Sequence, residues 1–115
     1  MEFIDLILFF IMAKIVKLFK EEKLPMLFSV TWDIDPDERE DTVEKFLETG
    51  GMPPKGVELI CRYHNVDGSG GFAVVSASDP IALAKFAQDW NDLIEILITP
   101  VLDDAKMVEV LSARH

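Results

Sequence analysis

Residues 57–78 read VELICRYHNVDGSGGFAVVSAS, and this stretch decides the fold. Two runs rich in β-branched and aromatic residues, Val57 to His64 and Gly71 to Ser78, flank Asn65-Val66-Asp67-Gly68-Ser69-Gly70. The flanks suit a pleated surface, and the six residues between them supply the conformations a tight reversal needs, so the segment predicts an antiparallel hairpin. Upstream, Leu27 to Ile34 alternates, with Phe28, Val30, Trp32 and Ile34 on one face and Leu27, Ser29, Thr31 and Asp33 on the other. Asp35 can cap a following helix, Pro36 suits its first turn, and Glu38 sits where a capping-box acid reaches back. That helix runs to about Thr49 with Val43, Phe46 and Leu47 as its buried stripe, and Gly50-Gly51 ends it before Pro53 and Pro54. Downstream, Asp79-Pro80 repeats the cap-plus-proline start, and Leu83, Phe86, Ala87 and Trp90 form the second stripe. Leu93 to Leu102 is a last strand, after which Asp103 or Asp104 caps a short terminal helix carrying Met107, Val108 and Leu111.

The resulting order, βαββαβ, predicts an α+β fold of the ferredoxin-like kind: a four-stranded antiparallel sheet with two helices on one face, preceded by an N-terminal helix and followed by a short C-terminal one. Several strands carry apolar residues on both faces, as in Leu59 and Ile60, Val74 and Val75, or Ile96 and Leu97. A sheet wetted on one side does not need these. A second copy is the simplest cover for the bare face, because two-fold homodimers bury identical patches against each other, and a dimeric α/β barrel is expected.

The chain has 115 residues, 50% hydrophobic and 28% charged, enough for one domain with a single core. Its formal charge of -10 repels a phosphate backbone, which speaks against nucleic-acid binding. One cysteine and two histidines supply neither an internal disulfide nor the usual zinc set, so no metal or cofactor is expected. In residues 1–25, Glu2, Asp5, Glu21 and Glu22 balance Lys14, Lys17, Lys20 and Lys23, so the whole net charge belongs to residues 26–115. The division is an N-terminal helical extension, 1–25, and a ferredoxin-like domain, 26–115. In the extension Ile4, Ile7, Leu8, Ile11, Ile15 and Leu18 share a helical face, with Lys14, Lys17 and Lys20 opposite. Its longest uncharged apolar run, Leu6 to Ala13, falls well short of the roughly 20 residues of a membrane span. A helix packed on the domain or on its partner is the favoured reading, and contact with a membrane surface through residues 3–19 is the alternative. The expected location is cytoplasmic, with peripheral membrane attachment in that alternative.

Residues 26 to about 111 resemble the family catalogued as domain of unknown function 3303, which is similar to the dimeric α/β-barrel proteins. The matching stretches are Leu27-Phe28-Ser29-Val30-Thr31-Trp32, Phe46-Leu47-Glu48-Thr49-Gly50, Arg62-Tyr63-His64, Gly71-Phe72-Ala73-Val74-Val75, Trp90-Asn91-Asp92-Leu93 and Thr99-Pro100-Val101-Leu102-Asp103-Asp104. The resemblance implies the same fold and a homodimer, and it implies no reaction.

Several motifs have plainer readings. Asp33, Asp35 and Asp37 with Glu44 imitate a calcium loop, but Glu38 stands where that loop needs glycine, and helix capping accounts for the acids. Gly68-Ser69-Gly70-Gly71 leads into a strand, not a helix, so it is a hairpin tip and not a phosphate cradle. RNA-recognition modules share the element order, yet Val74 and Ala77 stand where their stacking aromatics would be. Trp32 and Trp90 read as core.

Regular alternation puts Glu58, Ile60, Arg62 and His64 on one face of their strand, toward the barrel interior or its rim, and Val57, Leu59, Cys61 and Tyr63 toward the helices. Ser29, Thr31 and Glu95 are expected beside His64, giving a candidate binding site for a small apolar or aromatic ligand. Two functions follow: a non-enzymatic homodimeric binding or interaction module, or a cofactor-independent enzyme of the monooxygenase or isomerase kind, with His64 as general base and Arg62 stabilising an oxyanion.

Overall fold

The computed structural model describes residues 2–22 and 24–114, the side chains of residues 16–22 excepted. The elements run α1 (Phe3–Glu22), β1 (Met26–Ile34), a single 3₁₀ turn (Pro36–Glu38), α2 (Arg39–Thr49), β2 (Val57–His64), β3 (Gly70–Ala77), α3 (Pro80–Trp90), β4 (Ile94–Val101) and α4 (Asp104–Ser112). The four strands form one antiparallel sheet in the order β2-β3-β1-β4, which is the ferredoxin-like arrangement.

The starts of α3 and α4 follow from an aspartate. The Asp79 and Asp103 carboxylates accept the backbone N–H groups of Ile81 and Lys106, satisfying donors the helix leaves free. Asp35 does the same for Asp37, but it caps the short 3₁₀ turn, and α2 begins only at Arg39. The reciprocal capping-box bond expected of Glu38 is not made; instead the Thr42 hydroxyl donates to the Glu38 carbonyl at 2.7 Å. Gly50 closes α2 at φ 70°, a left-handed turn that glycine adopts without a Cβ penalty.

The core lies between the sheet and its helices. Val30, Val57, Ala73, Val75 and Ala77 from the strands meet Ala82, Leu83, Phe86 and Trp90 from α3, with Trp32, Phe46, Leu59, Ile94 and Ile96 packed around them. The α3 stripe is the one the sequence predicts. The α2 stripe is not: Thr42 is buried and Phe46 half-buried, whereas Val43 is exposed and Leu47 is 77% exposed. Two cations set this rotation. The Arg62 guanidinium donates to the carbonyls of Gly51 and Gly50 at 2.7 and 2.9 Å, and Lys45 donates to the Asp89 carbonyl while lying 4.7 Å from the Trp90 ring centroid. Together they fasten the C-terminal half of α2 to β2 and to the end of α3 with Thr42, Lys45 and Phe46 turned inward.

Among the described residues, no helix covers the other face of the sheet. Phe72, Tyr63 and Leu97 stand there exposed, Leu97 at 65%, with Val74 and Val101 half-buried among them. Residues 2–15, nearly all of them in α1, are exposed around the whole circumference of the helix. The positions expected to complete its stripe and its basic face, Leu18, Lys17 and Lys20, lie outside the described side chains. Among the described residues no helix is long and apolar enough to cross a membrane.

Candidate functional site

A β-bulge in β2 decides which side chains reach the site. Leu59 pairs with Val75 and Cys61 with Val74, so Ile60 is an extra residue opposite no partner. Because side chains alternate strictly along a strand, one extra residue reverses every face beyond it. Arg62 and His64 therefore fall opposite Ala73 and Gly71 on the helix side, while Cys61 and Tyr63 move to the bare side. This corrects the expectation from regular alternation, which put His64 and Arg62 toward a barrel interior and Cys61 and Tyr63 toward the helices. Ser29, Thr31 and Glu95 keep the bare face, on β1 and β4. The sheet thus separates them from His64, and the four residues expected to share one ligand site do not meet.

Instead, Arg62 and His64 line a cavity of about 270 Å³ between the sheet and the underside of α2. Val30, Trp32, Ala73, Ile94 and Ile96 form its floor, Phe86 and Trp90 its far wall, and Thr42, Val43 and Phe46 its roof. The physical cause is the inward face of α2, whose one large apolar residue is Phe46. Thr42, one turn earlier, is a short side chain that also lines the space. Its lining is mostly apolar, with Arg62, His64 and Thr42 as the polar side chains among the described residues.

Its polar groups gather at one end. The His64 ring meets Phe46 edge-on at 5.2 Å and Trp32 at 5.7 Å between centroids. The Arg62 guanidinium lies 5.1 Å from the Phe46 centroid, attracted by the negative face of the ring, while its two terminal nitrogens hold the Gly50-Gly51 carbonyls. Arg62 therefore has an observed structural duty, and its fork carries donors beyond the two already engaged. Three glycines make the packing possible. A Cβ on Gly51 would come within 2.9 Å of both the Arg62 guanidinium and the Phe46 ring, one on Gly71 within 2.7 Å of the Trp32 ring, and one on Gly70 would collide with the Trp32 carbonyl. In the sequence Gly70 and Gly71 look like turn chemistry; here they let the Trp32 indole and its backbone approach β3.

A second cleft, about 410 Å³, opens where the ends of β1 and α3 meet, among Asp33, Asp35, Glu38, Asp92 and Glu95. Among the described residues, no cluster of His, Cys, Asp and Glu has the geometry to hold a metal ion. In the hairpin tip, Asp67 accepts from both the hydroxyl and the backbone N–H of Ser69, at 2.6 and 3.0 Å, and the hydroxyl bond above all holds its carboxyl below the usual range.

With the helix-side cavity and the bulged strand established, comparison with known proteins gives one result. The family model described as domain of unknown function (DUF3303) matches residues 26–115, the whole of the sheet and its helices. The chain belongs to the DUF3303 family. No curated protein and no solved structure matches it. Within this DUF3303 chain the match begins where β1 does, and α1 lies outside it.

Proposed function

We propose that this DUF3303 protein is a homodimeric module that binds a small apolar ligand in the cavity beneath α2. The observation that carries the reading is the space itself: about 270 Å³, walled by aromatic and aliphatic side chains, in a domain that otherwise packs its core closely around Val75. The space opens to solvent beside the exposed His64, and away from Arg62 and His64 its walls offer water little to hydrogen-bond, so apolar contents are favoured there. N-phenyl-1-naphthylamine, a neutral apolar fluorophore, tests it. The expected result is saturable binding at one site per chain, lost in Ala73→Leu, which fills the floor, and in Val43→Trp, which closes the roof from an exposed position. Unchanged binding in both variants rejects the cavity as the site.

The dimer rests on the bare sheet face. Four strands at ~4.8 Å spacing and about 27 Å long give a footprint of roughly 500 Å², against about 800 Å² per partner in a standard interface. Met107, Val108 and Leu111 on α4 are further exposed apolar side chains. A second copy presents an identical patch, and two-fold pairing buries both. Sedimentation equilibrium at micromolar concentration should find a dimer that Phe72→Glu with Leu97→Glu dissociates; single wild-type chains reject it.

A second reading, membrane-surface contact through α1, draws on the exposure of Phe3, Ile4, Leu8, Phe9 and Phe10, because an apolar helical surface with lysines toward its C-terminal end suits the interface of an anionic membrane. Deleting residues 1–25 should then abolish co-sedimentation with vesicles of equal parts phosphatidylglycerol and phosphatidylcholine. Equal binding by both forms dismisses it.

A further inference from the structure

The charge arrangement around the cavity narrows what can occupy it. Arg62 is the one charged residue among those lining the space. It is half-buried, and its guanidinium is fixed by the Gly50 and Gly51 carbonyls so that it cannot swing away into solvent. Resting on the cavity reading above, we propose that the ligand is an apolar monoacid: an aromatic body of one or two rings that fills the apolar space and one carboxylate that meets Arg62 beside His64.

Three observations favour this class over the alternatives. A cationic ligand would bring its charge up to Arg62, which repels it, and two of the lining rings, Phe46 and Trp90, already face a cation, Arg62 and Lys45 respectively. A neutral ligand rich in donors and acceptors would find few partners, since the Thr42 hydroxyl already donates to Glu38 and the walls are hydrocarbon. An acid finds both things it needs, a dry slot for its body and a planar fork whose remaining N–H groups match a carboxylate. The acidic cleft nearby sets orientation. Asp33, Asp35, Glu38 and Glu95 flank the Ile34 and Ile94 end of the cavity, so a carboxylate is repelled there and directed to the Arg62 end.

The deciding experiment is calorimetric titration of the full-length protein with 2-naphthoate and with 2-naphthamide, which keeps the shape and removes the charge. The acid is expected to bind about tenfold or more tightly than the amide, the scale of one charge-assisted hydrogen bond in a half-buried site. Arg62→Gln should bring the two to within about threefold of each other while amide binding persists, and Arg62→Lys should keep most of the preference. Amide binding serves as the check that each variant retains the cavity. Equal wild-type affinities for acid and amide overturn the ligand class and leave the cavity reading standing. A preference that survives Arg62→Gln overturns the role of Arg62, and failure of both compounds to bind overturns the cavity reading and this inference with it.

Discussion

Deleting Ile60 should leave the sheet, the cavity and the position of Arg62 intact. In the observed register Val57, Glu58 and Leu59 pair regularly with Ala77, Ser76 and Val75, and Cys61 to His64 pair regularly with Val74 to Gly71. Neither block has to move when the unpaired residue between them is removed. The losses are half the burial of one isoleucine that is 53% exposed, about 1 kcal/mol on the usual scale for a buried aliphatic side chain. The gain is a continuous ladder in place of an interrupted one, about 0.5–1.5 kcal/mol for a recovered hydrogen bond. The two nearly cancel, and the net change should stay within about 1 kcal/mol, or roughly 4–8 °C in midpoint for a domain of this size. Urea denaturation of the deletion variant measures it. Arg62→Ala, made in both backgrounds, supplies the second arm: it should cost the same in each, about 2 kcal/mol for two bonds from a charged donor to backbone carbonyls, partly exposed. Were the strand regular and Arg62 on the bare face, the deletion would invert Arg62 and His64 into the core. A loss above about 3 kcal/mol, or an Arg62→Ala cost that disappears in the deletion background, refutes the bulge.

Gly71→Ala should destabilise the domain by at least about 1–3 kcal/mol, the range for forcing extra volume into a packed site, because its Cβ would collide with the Tyr63 carbonyl of the neighbouring strand and press on the Trp32 ring; an unchanged denaturation midpoint contradicts the close approach. Phe86→Ala should cost about 3–5 kcal/mol as a large core truncation, since Phe86 is buried in the sheet-helix core, and should also enlarge the cavity it walls, visible as stronger binding of bulkier apolar probes. Ser69→Ala should return the Asp67 carboxyl toward its ordinary titration range, because the hydroxyl bond is the main cause of its depression. A carboxyl depressed in the folded state adds stability above its unfolded pKa and loses it as pH falls through the folded value, so this small contribution vanishes only under acid conditions, below the ordinary carboxylate range. Side-chain carboxyl NMR of the two forms across that window checks it, and superimposable Asp67 curves refute the assignment.

How much of this was legible beforehand varies by element. Local chemistry announces the hairpin at Asn65 to Gly70, the Asp79 cap and most of the α3 stripe, and narrows the last cap to Asp103 or Asp104, because each depends on neighbours a few residues away, whereas Asp35 caps a 3₁₀ turn and not α2 itself. The four-stranded order followed from the alternation of strand and helix. Of the α2 stripe that the local pattern points to, Val43, Phe46 and Leu47, only Phe46 turns inward, and Thr42 and Lys45 take the other inward places. The rotation of α2 is set by Arg62 and Lys45, which bond to carbonyls distant in sequence, and Val43 and Leu47 look as suitable for burial as Phe46 does. The site is hidden from the sequence for a related reason. Strand alternation carries no mark of an inserted residue when, as at Leu59-Ile60-Cys61, three consecutive side chains are all acceptable on either face.

What the amino-acid order fixes by itself is the set of elements, their sequence, and the presence of apolar side chains on both faces of the sheet, since these arise from periodicity and short-range capping. What only the tertiary structure decides is where the chemistry converges: a single unpaired residue at position 60 turns Arg62 and His64 beneath α2, separates them from Ser29, Thr31 and Glu95 by the thickness of the sheet, and sets them at a cavity that Thr42 also lines. Register is a property of two strands together, and neither strand's own sequence contains it.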